Sequence, residues 1–239
     1  MRSCAAHPPS SGDILDVVTD LPYTITDALR AAADPERAPQ QQAYMKSAMP
    51  FFGVPVPEAR RIVRATAKAA GVKDAAFLRS AALELWDTAT HREQRYAAMA
   101  LLAIRGVADD LTVVPLVEHM VRTGQWWDVT DELAHRLAQL HDLYPVETAS
   151  LVREWCTDES MWMRRIAIIS QLGRRDRLDD EVLSDVIVPN LADPEFFIRK
   201  AIGWALREVA RHDPDWVVAF VDARELSPLS RREALKHVA

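Results

Sequence analysis

Met161-Trp162-Met163-Arg164-Arg165-Ile166-Ala167-Ile168 has four counterparts along the chain. They are Arg92-Glu93-Gln94-Arg95-Tyr96-Ala97-Ala98-Met99, Trp127-Asp128-Val129-Thr130-Asp131-Glu132-Leu133, Phe196-Phe197-Ile198-Arg199-Lys200-Ala201-Ile202-Gly203 and Pro228-Leu229-Ser230-Arg231-Arg232-Glu233-Ala234-Leu235. The five align on Arg95, Asp131, Arg165, Lys200 and Arg232, at successive spacings of 36, 34, 35 and 32 residues. Around them, segments of helical period run over 24–33, 36–49, 57–70, 75–88 and 92–105, then 112–123, 126–141, 146–157, 161–173, 178–191, 195–211, 214–223 and 228–238, each ended by short Pro, Gly or Asp punctuation. A period in the middle thirties with two helices per unit marks stacked repeats of the TPR, HEAT or armadillo kind. The expected fold is therefore all-α, a solenoid of HEAT-like two-helix repeats in which each unit covers its neighbour's apolar face.

Composition agrees. Only 7 of the 239 residues are Gly, 49% are hydrophobic and 27% charged, as in a globular protein built of helices. Residues 1–22, with Pro8-Pro9-Ser10-Ser11-Gly12, read as a flexible tail, and 23–239 as one repeat domain. Cys4 and Cys156 make no disulfide framework, and no run has the length and apolarity of a signal or membrane segment. A cytoplasmic monomer is expected.

The net charge of −6 argues at first against nucleic acid, but its distribution reverses that. The second helices of four units (92–105, 160–177, 195–211 and 230–238) hold 15 Lys or Arg against 5 Asp or Glu. The first helices between them (107–123, 145–158, 178–194 and 212–225) hold 3 against 15. One layer is basic and the other acidic. If the second helices line the inner face, the protein has a positive concave groove suited to duplex DNA; the alternative is that the sorting only keeps two faces solvated.

The remaining second helix, 126–141, is an acidic notch with Asp128, Asp131 and Glu132 against Arg136. A carboxylate facing phosphates costs binding energy, so chemistry that develops positive charge is one reason to keep it there. Cleavage of an N-glycosidic bond is such chemistry, since its oxocarbenium-like transition state is stabilised by a carboxylate and by an indole face. Trp127 lies one turn from Asp131 on the same face. Arg165 holds the equivalent position one unit on, where it serves either to orient the carboxylate and hold a phosphate or merely as an ion pair between repeats. Trp204, one turn after Lys200, is either part of that patch or inter-repeat packing. Trp126 and Asp128 are read as packing and capping. Tyr44 and Lys46 are candidates to reach DNA from the N-terminal helices, whereas Phe51 and Phe52 read as core. His-Glu-x-x-His, Cys/His clusters, Gly-rich phosphate loops and Gly-x-Ser-x-Gly are absent from the sequence, which argues against a metal site, nucleotide hydrolysis and serine chemistry.

These strings carry a family resemblance. Tyr44-Met45-Lys46, Glu84-Leu85-Trp86-Asp87, Trp126-Trp127-Asp128-x-x-Asp131, Trp162-x-x-Arg165-x-Ala167-Ile168, Glu195 to Glu208 and Leu229-Ser230-Arg231-Arg232-Glu233-Ala234-x-Lys236-His237 follow in order over nearly everything past the tail. The chain resembles the AlkD-like DNA alkylation repair glycosylases of the HEAT-like-repeat superfamily. The resemblance implies a right-handed α-solenoid that excises cationic N3- and N7-alkylated purines, such as 3-methyladenine and 7-methylguanine, from double-stranded DNA without metal or cofactor. It implies Asp131 as the catalytic carboxylate, Trp127 and Trp204 against the deoxyribose and Arg165 on the damaged strand. Lys200, Arg207, Arg231, Arg232 and Lys236 are the expected phosphate contacts. The rival from another class is a non-catalytic helical-repeat scaffold for DNA structures or proteins.

Overall fold

The computed structural model describes residues 21–238, and the expected tail, up to residue 20, lies outside them. Among the described residues there are thirteen α-helices, three 3₁₀ turns and no strand. They form two compact units that meet in sequence after Val107.

The first unit contains α1 (Leu21–Ala31), α2 (Ala38–Met45), α3 (Val56–Ala69), α4 (Ala75–Asp87) and α5 (Arg92–Leu102). Helix α1 includes Leu21 and Pro22, both buried, so these last two residues of the stretch read as tail belong to the helical core. Helix α5 packs against α1, α3 and α4 and is buried on nearly every side, including Arg92, Glu93 and Gln94. A buried carboxylate needs partners. Glu93 finds three backbone N–H groups in the segment before α3: Phe52 N donates to Oε2 at 2.9 Å, and Gly53 N and Val54 N donate to Oε1 at 2.9 and 3.0 Å. Gly53 makes this cradle possible, because its φ is +91° and a Cβ there would stand 2.1 Å from the Asp34 carbonyl oxygen. Phe51 and Phe52 are core, Phe52 stacking on His91 at 3.9 Å between centroids.

The second unit contains α6 (Val114–Gly124), α7 (Trp127–Leu143), α8 (Pro145–Trp155), α9 (Met161–Ile168), α10 (Asp180–Ile187), α11 (Phe196–Val209), α12 (Pro214–Asp222) and α13 (Pro228–Ala234). Starts are set by local chemistry. Pro stands at the first position of α8, α12 and α13, where its missing N–H costs nothing, and Asp179, Asp213 and Ser227 cap α10, α12 and α13 by accepting from Val182 N, Trp216 N and Ser230 N. The second helices touch in series, α7 to α9 to α11 to α13, while α8 packs on α7, α9 and α10. That is the two-layer order expected from the repeat. Two helices are shorter than their periodicity: the 161–173 pattern is helical only to Ile168, and 228–238 only to Ala234. Helices α11 and α13 approach so closely that a Cβ on Gly203 would meet Glu233 Cβ at 2.5 Å.

The layers are not two independent charged faces. Arg164 reaches from α9 to Asp193, before α11, at 2.8 Å, and Arg174 after α9 reaches Asp142 of α7 at 3.0 Å. Arg122 and Arg153 bridge to Asp158 and Asp185, both at 2.7 Å. Part of the basic excess counted along the sequence is thus neutralised between successive elements, because long cationic side chains span one repeat to the next.

Candidate active site

Helix α9 touches α6, α7, α8, α10 and α11, so its side chains are buried almost all round. Arg165 is one of them, with 4% of its side chain exposed. Burying a guanidinium so deeply requires an acceptor for each face of the fork, and the neighbouring helices supply them. Its Nε donates to Asp131 Oδ1 and its Nη2 to Asp131 Oδ2, each at 2.9 Å, while Nη1 donates to the Phe197 carbonyl at 2.7 Å. One arginine on α9 thereby ties α7 to α11.

Asp131 lies one turn into α7, 19% exposed at its side chain. The helix starts after Gln125, which adopts the left-handed conformation (φ 44°), and Trp126, an extended N-cap residue without a side-chain cap. Thr130, fully buried, approaches Asp131 Oδ1 through Oγ1 at 3.2 Å and the Trp127 carbonyl at 3.1 Å. Burial pushes the Asp131 pKa above the usual aspartate value, Arg165 and Thr130 pull it down, and the Asp128 charge pushes it up again. Asp128 is therefore an electrostatic neighbour of Asp131 within the first turn of α7 and not its N-cap.

An aromatic cluster supports this pair. Trp126 lies 6.0 Å from Trp162 and 5.7 Å from Phe197, and Trp162 lies 5.0 Å from Phe197, between ring centroids. Arg165 Cζ is 5.9 Å from the Phe197 ring. Trp126 is thus packing, as its sequence position suggests. Phe197 is a component that spacing does not single out, because its contribution to Arg165 is a backbone carbonyl, which no residue type encodes.

Trp127, one turn before Asp131, and Trp204 are both half-buried. On α11, Phe197, Lys200, Trp204 and Arg207 recur at helical spacing and share a face. Lys200 and Arg207 do not stand open: Glu233 of α13 accepts from Lys200 Nζ at 3.0 Å and from Arg207 Nη1 at 2.6 Å, and these cations hold the Glu233 carboxyl below its usual range. Arg231 leans on α12, donating to Asp222 at 2.8 Å and to the Val221 carbonyl at 3.2 Å. Arg232 and Lys236 are exposed. In the first unit Tyr44 is 76% exposed, and Lys46 ends α2 in the left-handed conformation, also exposed. Glu233 was visible in the sequence only as part of a string, since nothing there shows which cations it neutralises.

The site is thus a partly buried carboxylate held by an arginine that an aromatic cluster backs, on a scaffold of packed helices. The DNA alkylation repair enzyme family matches residues 25–238, and the chain belongs to that family. Among solved structures, the chain is similar to a predicted DNA alkylation repair enzyme from Enterococcus faecalis (30% identity, TM-score 0.78, covering 87% of this chain and 97% of that one). AlkD2 from Streptococcus mutans shares the fold at 17% identity and TM-score 0.62, over 77% of this chain and 91% of that one. So does the Pseudomonas fluorescens alkylpurine DNA glycosylase AlkC bound to DNA containing an abasic site analog, at 14% identity and TM-score 0.50, over 97% of this chain and 65% of that one. No curated protein sequence matches. No helix among the described residues is long and apolar enough to cross a membrane.

Proposed function

We propose that this protein is a monofunctional DNA glycosylase that hydrolyses the N-glycosidic bond of N3- and N7-alkylated purines in duplex DNA, acting as a monomer. The observation that carries the reading is the Asp131–Arg165 pair. Arg165 fixes both oxygens of a partly desolvated carboxylate, so the charge is oriented before the substrate arrives and spends little on reorganisation. An alkylated purine already bears positive charge and leaves neutral, so no general acid is required at the base. Positive charge then develops on the sugar, where Asp131 stabilises it and orients the attacking water, with the Trp127 and Trp204 rings against the deoxyribose. In this reading α7, α9, α11 and α13 line a concave groove of a right-handed solenoid, and Arg232, Lys236 and the Glu233-held pair Lys200 and Arg207 face phosphates, with Arg231 at their edge and Tyr44 and Lys46 in the first unit.

The test is release of base from duplex DNA carrying 7-methylguanine by wild type and by Asp131→Asn. Release by wild type and its loss in the variant are expected. Equal release by both would remove Asp131 from catalysis, and binding without release by both would favour a scaffold.

A further inference from the structure

The first unit carries a second concentration of positive charge that the site on α7, α9 and α11 does not use. Arg60, Arg64 and Lys68 stand on α3 at i, i+4 and i+8 and so share one face. Arg105, just past the end of α5, completes the rim of a cleft of about 360 Å³, and Ala67 and Ala100 belong to its apolar floor. The lining includes four cationic side chains and no acidic one. Arg64, Lys68 and Arg105 are exposed and have no ion-pair partner among the described residues, whereas Arg61 on the same helix is paired with Glu58.

We propose that this cleft binds the phosphodiester backbone of duplex DNA, giving the first unit a phosphate site of its own. The inference rests on the reading of the protein as a DNA enzyme. Three features favour a polyanion over simple solvation of a helix face. The cations converge on one concave place, whereas a solvated face disperses them. Three of the six other basic residues expected to meet DNA, Lys200, Arg207 and Arg231, are engaged by Glu233 or Asp222, whereas Arg64, Lys68 and Arg105 are positive charges that phosphates can meet without displacing a carboxylate. Finally, a helix rises about 1.5 Å per residue, so the stripe extends about 12 Å, which matches roughly three to four successive phosphates of one strand. The apolar floor takes up the methylene stems, leaving the charged heads at the rim.

The full-length protein carrying Arg64→Gln and Lys68→Gln is titrated into undamaged duplex DNA by fluorescence anisotropy over a range of salt, beside wild type and a control with Arg30→Gln and Arg61→Gln, which removes the same charge from the same unit outside the cleft. Loss of two phosphate contacts makes the log–log salt dependence shallower by about 1.8 and weakens binding roughly 10- to 60-fold near 0.1 M salt. Unfolding temperature, read in parallel, should be unchanged because both side chains are exposed. If the cleft variant keeps wild-type affinity and slope, or merely matches the control, the proposal is overturned, as it is if only binding of an RNA duplex weakens. Undamaged DNA keeps this result separate from the glycosylase reading. Excision can fail while the cleft still proves to hold phosphates, and wild type that binds no DNA at all overturns both.

Discussion

Arg165 and Asp131 form a two-pronged pair across 34 residues of sequence, Nε to Oδ1 and Nη2 to Oδ2, each at 2.9 Å. The geometry belongs to a guanidinium, because an ammonium cannot meet both carboxylate oxygens in one plane while also serving the Phe197 carbonyl. Arg165→Lys should therefore retain charge and DNA binding but lose the fixed carboxylate, lowering single-turnover base release by about tenfold to a hundredfold. Asp131→Asn should lose about a hundredfold to a thousandfold, the range for removing a preorganised electrostatic group. Single-turnover rates under saturating enzyme separate these losses from binding. Equal rates for Arg165→Lys and wild type would show that charge alone suffices.

Only ionised Asp131 can stabilise a sugar cation, and burial has moved its pKa up. Base release should consequently fall as pH is lowered through that raised value, with an acid limb above the usual aspartate range. The same shift acts on stability with a definite sign: a carboxyl whose folded pKa lies above its unfolded one favours folding when protonated, and that contribution is lost as pH rises through the folded pKa. Asp131→Asn removes that titration but sets an amide N–H against the buried Arg165 guanidinium, so at neutral pH it should unfold at a lower temperature than wild type, the lost acceptor outweighing relief of the buried charge. A pH–rate profile and thermal unfolding at two pH values check both; an acid limb at or below the ordinary aspartate pKa would contradict the burial argument.

The two-layer order of helices was legible because it rests on apolar periodicity and on a repeat near 35 residues, both of which are written directly in residue types. Asp131 and Arg165 were legible for the same reason, since equivalent positions in successive repeats come together on neighbouring helices. What was not legible depends on atoms that residue type does not announce. The Phe197 carbonyl on Arg165 is backbone, and the early stop of α9 at Ile168 breaks an apolar pattern that runs on to 173. The pairing of Lys200 and Arg207 depends on the close approach of α11 to α13 at Gly203. Counting charges along helices could not see that Glu233 stands between two cations expected to meet phosphate.

That carboxylate yields a ranking. Lys200 and Arg207 are already satisfied by Glu233, so their truncation should weaken DNA binding less than truncation of the exposed Arg232 or Lys236. Glu233→Gln should go the other way, raising affinity for duplex DNA several-fold at low salt and steepening its salt dependence, because two cations then become available to phosphates. Anisotropy titrations across the five single variants decide it. Weaker binding by Glu233→Gln would mean that its carboxylate positions the cations for DNA and does not compete with it.

The Glu93 cradle predicts where the first unit is most fragile. Three backbone N–H groups converge on a fully buried carboxylate at 2.9 to 3.0 Å, and Gly53 holds the chain in the turn that aims them. Glu93→Gln keeps the shape but brings an amide N–H against those donors, leaving at least one of them unpaired in a buried place, at a cost of about 2–4 kcal/mol. Gly53→Ala has a similar or larger cost, because the added Cβ would overlap the Asp34 carbonyl in a backbone conformation that L-residues avoid. For a protein of this length each kcal/mol lowers the unfolding temperature by about 2–4 °C, so shifts of roughly 5–15 °C are expected. Neither residue touches Asp131 or Arg165 in the hydrogen bonds described, so the folded fraction of either variant should excise base at close to the wild-type rate. A wild-type unfolding temperature for Glu93→Gln would show that the amide finds its own pairing in the cradle.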